Sequence, residues 1–112
     1  MNFQEEEIYG LVIFHLKGKM LGGADANQLN DRIHQLLEQS KNRFVLDLTG
    51  VEMMSSSGLG VLVSALTAVR NQMGDVKLAG LPEKIRHILE ITKLDRVFEI
   101  YDTVASAAAA FR

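Results

Sequence analysis

The sequence predicts an α/β fold: a mixed, mostly parallel β-sheet with helices packed against it, in the order ββαβαβαβα. Three observations predict it. Apolar runs of strand length alternate with segments whose apolar residues recur at helical spacing. Strands that alternate with helices need crossover connections, and crossovers make neighbouring strands parallel. The 112 residues are 47% apolar, which suits one core and a single domain spanning residues 1–112.

Each element follows from its local pattern. Residues 3–8 suit an edge strand, with Glu5-Glu6-Glu7 as a solvated, charged edge. Tyr9-Gly10 supplies a tight turn. Leu11-Val12-Ile13-Phe14-His15-Leu16 is a short, β-branched apolar run, the signature of a buried strand. Residues 18–23 contain three glycines and read as a loop. Leu29, Ile33, Leu36 and Leu37 then fall at i, i+4, i+7 and i+8, one apolar helical face, opposite Asp31, Arg32, Gln35 and Glu38. Lys41-Asn42 ends that helix.

Phe44-Val45-Leu46-Asp47-Leu48 is the next strand, and residues 49–55 read as a loop. Leu59, Leu62, Val63, Leu66, Val69 and Met73 mark a second helix. Ser56 or Ser57 is the expected N-cap, because a hydroxyl can accept from a free first-turn amide. Gly74 stands where a left-handed residue after the helix is expected. Val76-Lys77-Leu78-Ala79 is a short strand. Pro82 presets φ for the first turn of a third helix that buries Ile85, Ile88 and Leu89. Residues 97–100 make a last short strand, and Asp102 or Thr103 caps a C-terminal helix running to Phe111.

Composition removes several function classes. Twelve Lys and Arg against fourteen Asp and Glu give a net charge of −2, too weak for a nucleic-acid binder or a polybasic membrane anchor. No apolar run approaches the roughly 20 residues that span a bilayer, so no membrane insertion is expected. The acidic start, Met1-Asn2-Phe3-Gln4-Glu5-Glu6-Glu7, lacks the basic region of a secretory signal, and a cytoplasmic location is expected. There is no Cys, which removes thiolate chemistry and Cys-ligated zinc.

The remaining chemistry is sparse. His15, His34 and His87 form no metalloprotease-type pair, so no metal site is expected and these side chains should pack or face solvent. Ser57-Gly58-Leu59-Gly60 opens a helix after a strand, a context that can hold an anion. Yet there is neither a phosphate-loop lysine nor a G-x-G-x-x-G, and no nucleotide cofactor is expected. No serine has the flanking glycines of a nucleophile elbow. The chain is expected not to be an enzyme.

The most informative segment is Met53-Met54-Ser55-Ser56-Ser57-Gly58-Leu59-Gly60. One reading of its hydroxyls is a cap with turn-formers. Another is a regulatory hydroxyl. A phosphate brings about −1.5 to −2 charges to the positive end of a helix, which costs the fold little but alters any partner interface built there. Met20, Leu21, Met53 and Met54 fall in the expected loops around it. Flexible Met side chains suit a recognition surface, although they equally serve as gap fillers beneath loops.

Val45-Leu46-Asp47-Leu48, Val51 and Ser56-Ser57-Gly58-Leu59-Gly60-Val61-Leu62 resemble the bacterial anti-sigma-factor antagonists of the STAS domain family. Lys77-Leu78-Ala79-Gly80-Leu81, Leu94-Asp95-Arg96-Val97-Phe98 and Asp102-Thr103 extend the resemblance over essentially the whole chain. The resemblance implies a protein that binds a serine-kinase anti-sigma factor and so frees the sigma factor. It implies phosphorylation by that kinase at Ser56, with Ser57 as the alternative, and a phosphatase that reverses it. It places Ser55, Ser56, Ser57, Gly58 and Leu59 with Met20, Leu21, Met53 and Met54 at the partner-binding surface. Two positions depart from the family pattern: Ser55 and Leu21 stand where the family carries Asp. Both changes make the region less negative. They favour a second implied role, a non-phosphorylated structural subunit of another assembly such as a lipid-transporter ATPase complex.

Overall fold

A computed structural model describes residues 2–111. It contains β1 (Asn2–Ile8), β2 (Leu11–Met20), α1 (Ala24–Glu38), β3 (Arg43–Met54), α2 (Ser56–Arg70), β4 (Asp75–Ala79), α3 (Glu83–Ile91), β5 (Glu99–Tyr101) and α4 (Val104–Ala109). The expected α/β class and element order both hold. A short 3₁₀ helix, Leu94–Arg96, precedes β5. Among the described residues no helix is long and apolar enough to cross a membrane.

The sheet order is β1-β2-β3-β4-β5, with β1 antiparallel to β2 and the other pairs parallel. This order has a physical consequence. Right-handed crossovers that always step in the same direction put every crossover helix on one face of the sheet. The main core lies there: Val12, Phe14, Leu16, Phe44, Leu46, Leu48, Val76 and Leu78 of the sheet meet Leu29, Ile33 and Leu36 of α1, Leu62, Leu66 and Val69 of α2, and Ile85 and Leu89 of α3. Phe14 stacks on Phe44 with ring centroids 6.1 Å apart.

Among the described residues only α4 covers the opposite face. It is alanine-rich, so it sits close to the sheet, and Ala107 packs with Leu11, Ile13, Val45 and Ala79. Lys77 is buried on this side. Its Nζ lies 3.0 Å from Glu99 and 3.4 Å from Asp75, and 4.6 Å from the centre of the Phe111 ring. Burial pushes the Lys77 ammonium down, but Glu99 and Asp75 outweigh it and hold it above its ordinary value.

The structure corrects several sequence expectations. Of the two expected loops, residues 49–55 are strand up to Met54, and residues 18–23 are strand up to Met20, with only 21–23 left as loop. β2 and β3 continue in parallel to the pair Met20 and Met54, through register shifts between His15 and Lys17 and between Gly18 and Lys19. Gly18, with φ 90°, suits such a break. Met73, not Gly74, takes the left-handed conformation after α2, at φ 66°. Gly74 is small for another reason: a Cβ there would meet the Asn42 carbonyl oxygen at 1.9 Å.

Pro82 is the N-cap of α3 rather than a first-turn residue. Ile85 and Leu89 are buried as expected, and Ile88 is half-buried. The last strand is shorter than residues 97–100 and shifted, because Val97 closes the 3₁₀ turn. Thr103 caps α4, its side chain accepting from the Ser106 amide at 3.0 Å, and the helix stops at Ala109, before Phe111.

Candidate functional site

The serine segment lies at the carboxyl ends of the parallel strands, where β2 hands over to α1 and β3 to α2. Open α/β sheets place their binding surfaces there. Two close contacts fasten the two handovers together. The Ser55 amide donates to the Met20 carbonyl at 3.0 Å. A Cβ on Gly58 would sit 2.2 Å from that same carbonyl oxygen, so only glycine admits this approach. One turn away, a Cβ on Gly22 would lie 2.7 Å from the Ser57 Cβ.

The N-cap is Ser55, not Ser56 or Ser57 as expected. Its backbone is extended, and its Oγ accepts from the Gly58 amide at 3.1 Å. The reason is the length of β3. Because the strand runs to Met54, the first residue free to leave it is Ser55. Ser56 and Ser57 therefore belong to the first turn of α2. Both are exposed, and among the described residues neither hydroxyl is engaged in a hydrogen bond. The first turn carries no acidic side chain, so the partial positive charge of the helix start is not offset from within that turn.

The expected partner-surface residues divide into two groups. Met20 and Met54 are only 1% and 5% exposed and belong to the main core. They are not the loop residues the sequence suggested; as paired strand ends they point beneath the helices. Gly58 and Leu59 are likewise buried. Leu21 and Met53 are 50% and 49% exposed and stand free at the same rim. Of the residues expected at a partner surface, Leu21, Met53, Ser56 and Ser57 are exposed, while Met20, Met54, Gly58 and Leu59 are buried and Ser55 is half-buried.

Sequence reasoning missed one cluster altogether. Both ring nitrogens of His15 face carboxylate oxygens, Nδ1 facing Asp47 Oδ2 and Nε2 facing Glu6 Oε1, each at 2.7 Å. Asp47 Oδ1 in turn accepts from the Thr49 amide at 3.0 Å and its hydroxyl at 2.6 Å. Glu6 and then Asp47 hold the imidazole above its ordinary pKa. Burial pushes the Asp47 carboxyl up, but the hydrogen bonds from Thr49 and His15 outweigh it and leave it lowered. A signal existed. His15 and Asp47 are the single polar residues inside two apolar strand runs, and the parallel register pairs them.

No group of three or more His, Asp or Glu among the described residues is arranged to hold a metal ion. The two carboxylates at His15 lie on opposite ring nitrogens and do not converge on one point.

Comparison with known proteins places this geometry. The family model of the STAS domain matches residues 2–107. A Bordetella bronchiseptica protein named as the anti-sigma factor antagonist BtrV is 30% identical over 112 residues, covering all of this chain and 96% of that protein. The anti-sigma-B factor antagonist of Listeria monocytogenes is 38% identical over 73 residues, covering 62% of this chain and 64% of its own. The crystal structure of a Thermotoga maritima protein described as an anti-sigma factor antagonist superposes with a TM-score of 0.86 at 29% identity, covering 96% of this chain and 92% of that one. With a family match over nearly its whole length and the same fold, this chain belongs to the STAS domain family.

Proposed function

We propose that this protein is a cytoplasmic anti-sigma-factor antagonist: it binds a serine-kinase anti-sigma factor, frees the sigma factor, and is switched off by phosphorylation of Ser56. The names of the Bordetella and Listeria relatives support the antagonist role. One observation carries the switch. Ser55 performs the capping, so the Ser56 and Ser57 hydroxyls are free of structural duty and exposed beside Leu21 and Met53.

The energetics favour a switch that spares the fold. A phosphate at Ser56 adds about −1.5 to −2 charges next to unpaired first-turn amides, a favourable location for an anion. A partner that covers the rim without supplying a cation must desolvate that charge, at a cost of several kcal/mol. Each 1.4 kcal/mol is about tenfold in affinity. Ser57 adjoins Gly22, where a Cβ would clash with it, and Ser56 is the position the family resemblance marks as the acceptor. A phosphatase completes the cycle.

The test combines affinity capture from the native cell with phosphopeptide mass spectrometry of the same sample. The expected result is a captured serine kinase and phosphate on Ser56. Ser56→Asp should weaken capture of that kinase by at least about tenfold, with Tm nearly unchanged. Equal binding by Ser56→Asp would sink the switch. A transporter ATPase as the captured partner would replace it with the structural-subunit role that Ser55 and Leu21 favour.

A further inference from the structure

The three consecutive glutamates of β1 do not leave a bare charged edge. Each is paired with the body of the protein, on alternate faces as strand geometry dictates. Glu5 takes Arg32 of α1 in a two-pronged pair, Nε to Oε1 at 2.6 Å and Nη2 to Oε2 at 2.8 Å. Glu7 takes Lys41 at 2.6 Å. Glu6 points to the opposite face and takes His15. β1 is an edge strand, paired only to β2, and most of its residues are exposed. On one face it is held by two cations, Arg32 and Lys41. On the other it is held by a group that loses its charge near neutrality.

We propose that His15 is a proton-operated clasp that locks the edge strand β1 across β2 to β3 and opens when the ring loses its second proton. The geometry requires a doubly protonated ring, because both nitrogens face carboxylate oxygens at 2.7 Å. A neutral imidazole has one N–H and can serve only one of them. Asp47 keeps it: that carboxylate is largely buried and already fixed by Thr49. Glu6 is the partner lost, since its side chain is half-exposed and water can replace the ring cheaply.

The groups facing the ring are few. β1 offers Glu6 and the uncharged Gln4, β2 offers Lys17, and β3 offers Asp47 and Thr49 around a shallow hollow. Among the described residues no helical residue lines that hollow. Lys17 favours the neutral ring but is exposed, whereas the two carboxylates touch it. The sign follows. The folded-state imidazole is raised above its ordinary value, so the clasp is complete below about pH 6.5 and is lost as pH climbs through the raised value. Asp47 is lowered and stays charged throughout that window.

Amide hydrogen exchange of the full chain by NMR, with the His15 ring followed in the same samples, tests the clasp. The ring should titrate above the ordinary histidine value. Protection of the β1 amides, corrected for base catalysis of exchange, should fall about three- to tenfold across that titration, while β4 amides stay constant. His15→Gln should abolish the step. Glu6→Gln, a milder change at an exposed side chain, should abolish it too and lower the ring's titration point. Unchanged β1 protection through the ring's titration, or the same step in either variant, would overturn the clasp.

Discussion

Two sets of residues alternate along the ends of β2 and β3, and they do opposite work. Met20, Met54, Ser55 and Gly58 face inward. Leu21, Met53, Ser56 and Ser57 face outward. Each inward residue adjoins an outward one in sequence. The inward set joins the two handovers through one carbonyl, that of Met20, which receives the Ser55 amide and abuts Gly58. Of the outward set only Ser57 approaches the other handover, at Gly22. The lesson is that the exposed rim rests on tightly packed neighbours. The modification proposed for Ser56 would then reach a partner without first loosening the scaffold.

The sharpest way to break this division is at the glycines of α2. Gly58 and Gly60 are two residues apart in one helix and look alike in sequence. A Cβ on Gly58 meets the Met20 carbonyl oxygen at 2.2 Å, while a Cβ on Gly60 meets nothing within 4 Å. The Met20 carbonyl is backbone and cannot swing aside. Gly58→Ala should therefore destabilise by about 1–3 kcal/mol through overpacking. Gly60→Ala should stabilise by about 0.5–1 kcal/mol, because alanine loses less backbone freedom in a helix. Denaturant unfolding of both variants gives the two signs directly. If Gly58→Ala proved as benign as Gly60→Ala, the joint at Met20 would not be rigid.

A smaller effect separates the three serines. Ser55→Ala removes the cap to the Gly58 amide and should cost about 1 kcal/mol. Ser56→Ala and Ser57→Ala should each stay within about 0.5 kcal/mol, as exposed substitutions without hydrogen bonds to lose. Thermal unfolding of the three single variants distinguishes them. Equal losses at Ser55 and Ser56 would put Ser56 back into a structural role.

That ordering also shows where sequence reading reached and where it stopped. Strand and helix type were legible because apolar periodicity reports burial. Leu29, Ile33 and Leu36 lie in the core as their spacing demands. The cap was expected one or two residues late, at Ser56 or Ser57, because nothing in Gly50-Val51-Glu52-Met53-Met54 advertises a strand. Its strand character comes from pairing with the extended end of β2, a contact between distant parts of the chain. Met20 and Met54 went from rim to core for the same reason. Gly74 illustrates a second limit. A glycine required by a neighbour's carbonyl and one required by a left-handed turn look identical in one dimension. The pairing of His15 with Glu6 and Asp47 needed the register of three strands at once.

The finest discrimination lies between the half-exposed apolar residues and their buried neighbours. Leu21→Ser and Met53→Ser should each change stability by less than about 1 kcal/mol, since half of each side chain is already in water. On the proposed function their effect falls on binding. Apolar side chains at the centre of a partner surface commonly cost more than about 1 kcal/mol when truncated, a five- to tenfold loss of affinity. Calorimetry of unfolding and titration against the captured kinase separate the two quantities. Preserved stability with weakened binding locates the recognition rim at the ends of β2 and β3. Preserved stability with unchanged binding moves the contact away from Leu21 and Met53, and leaves the exposed hydroxyls of α2 to be read from another side.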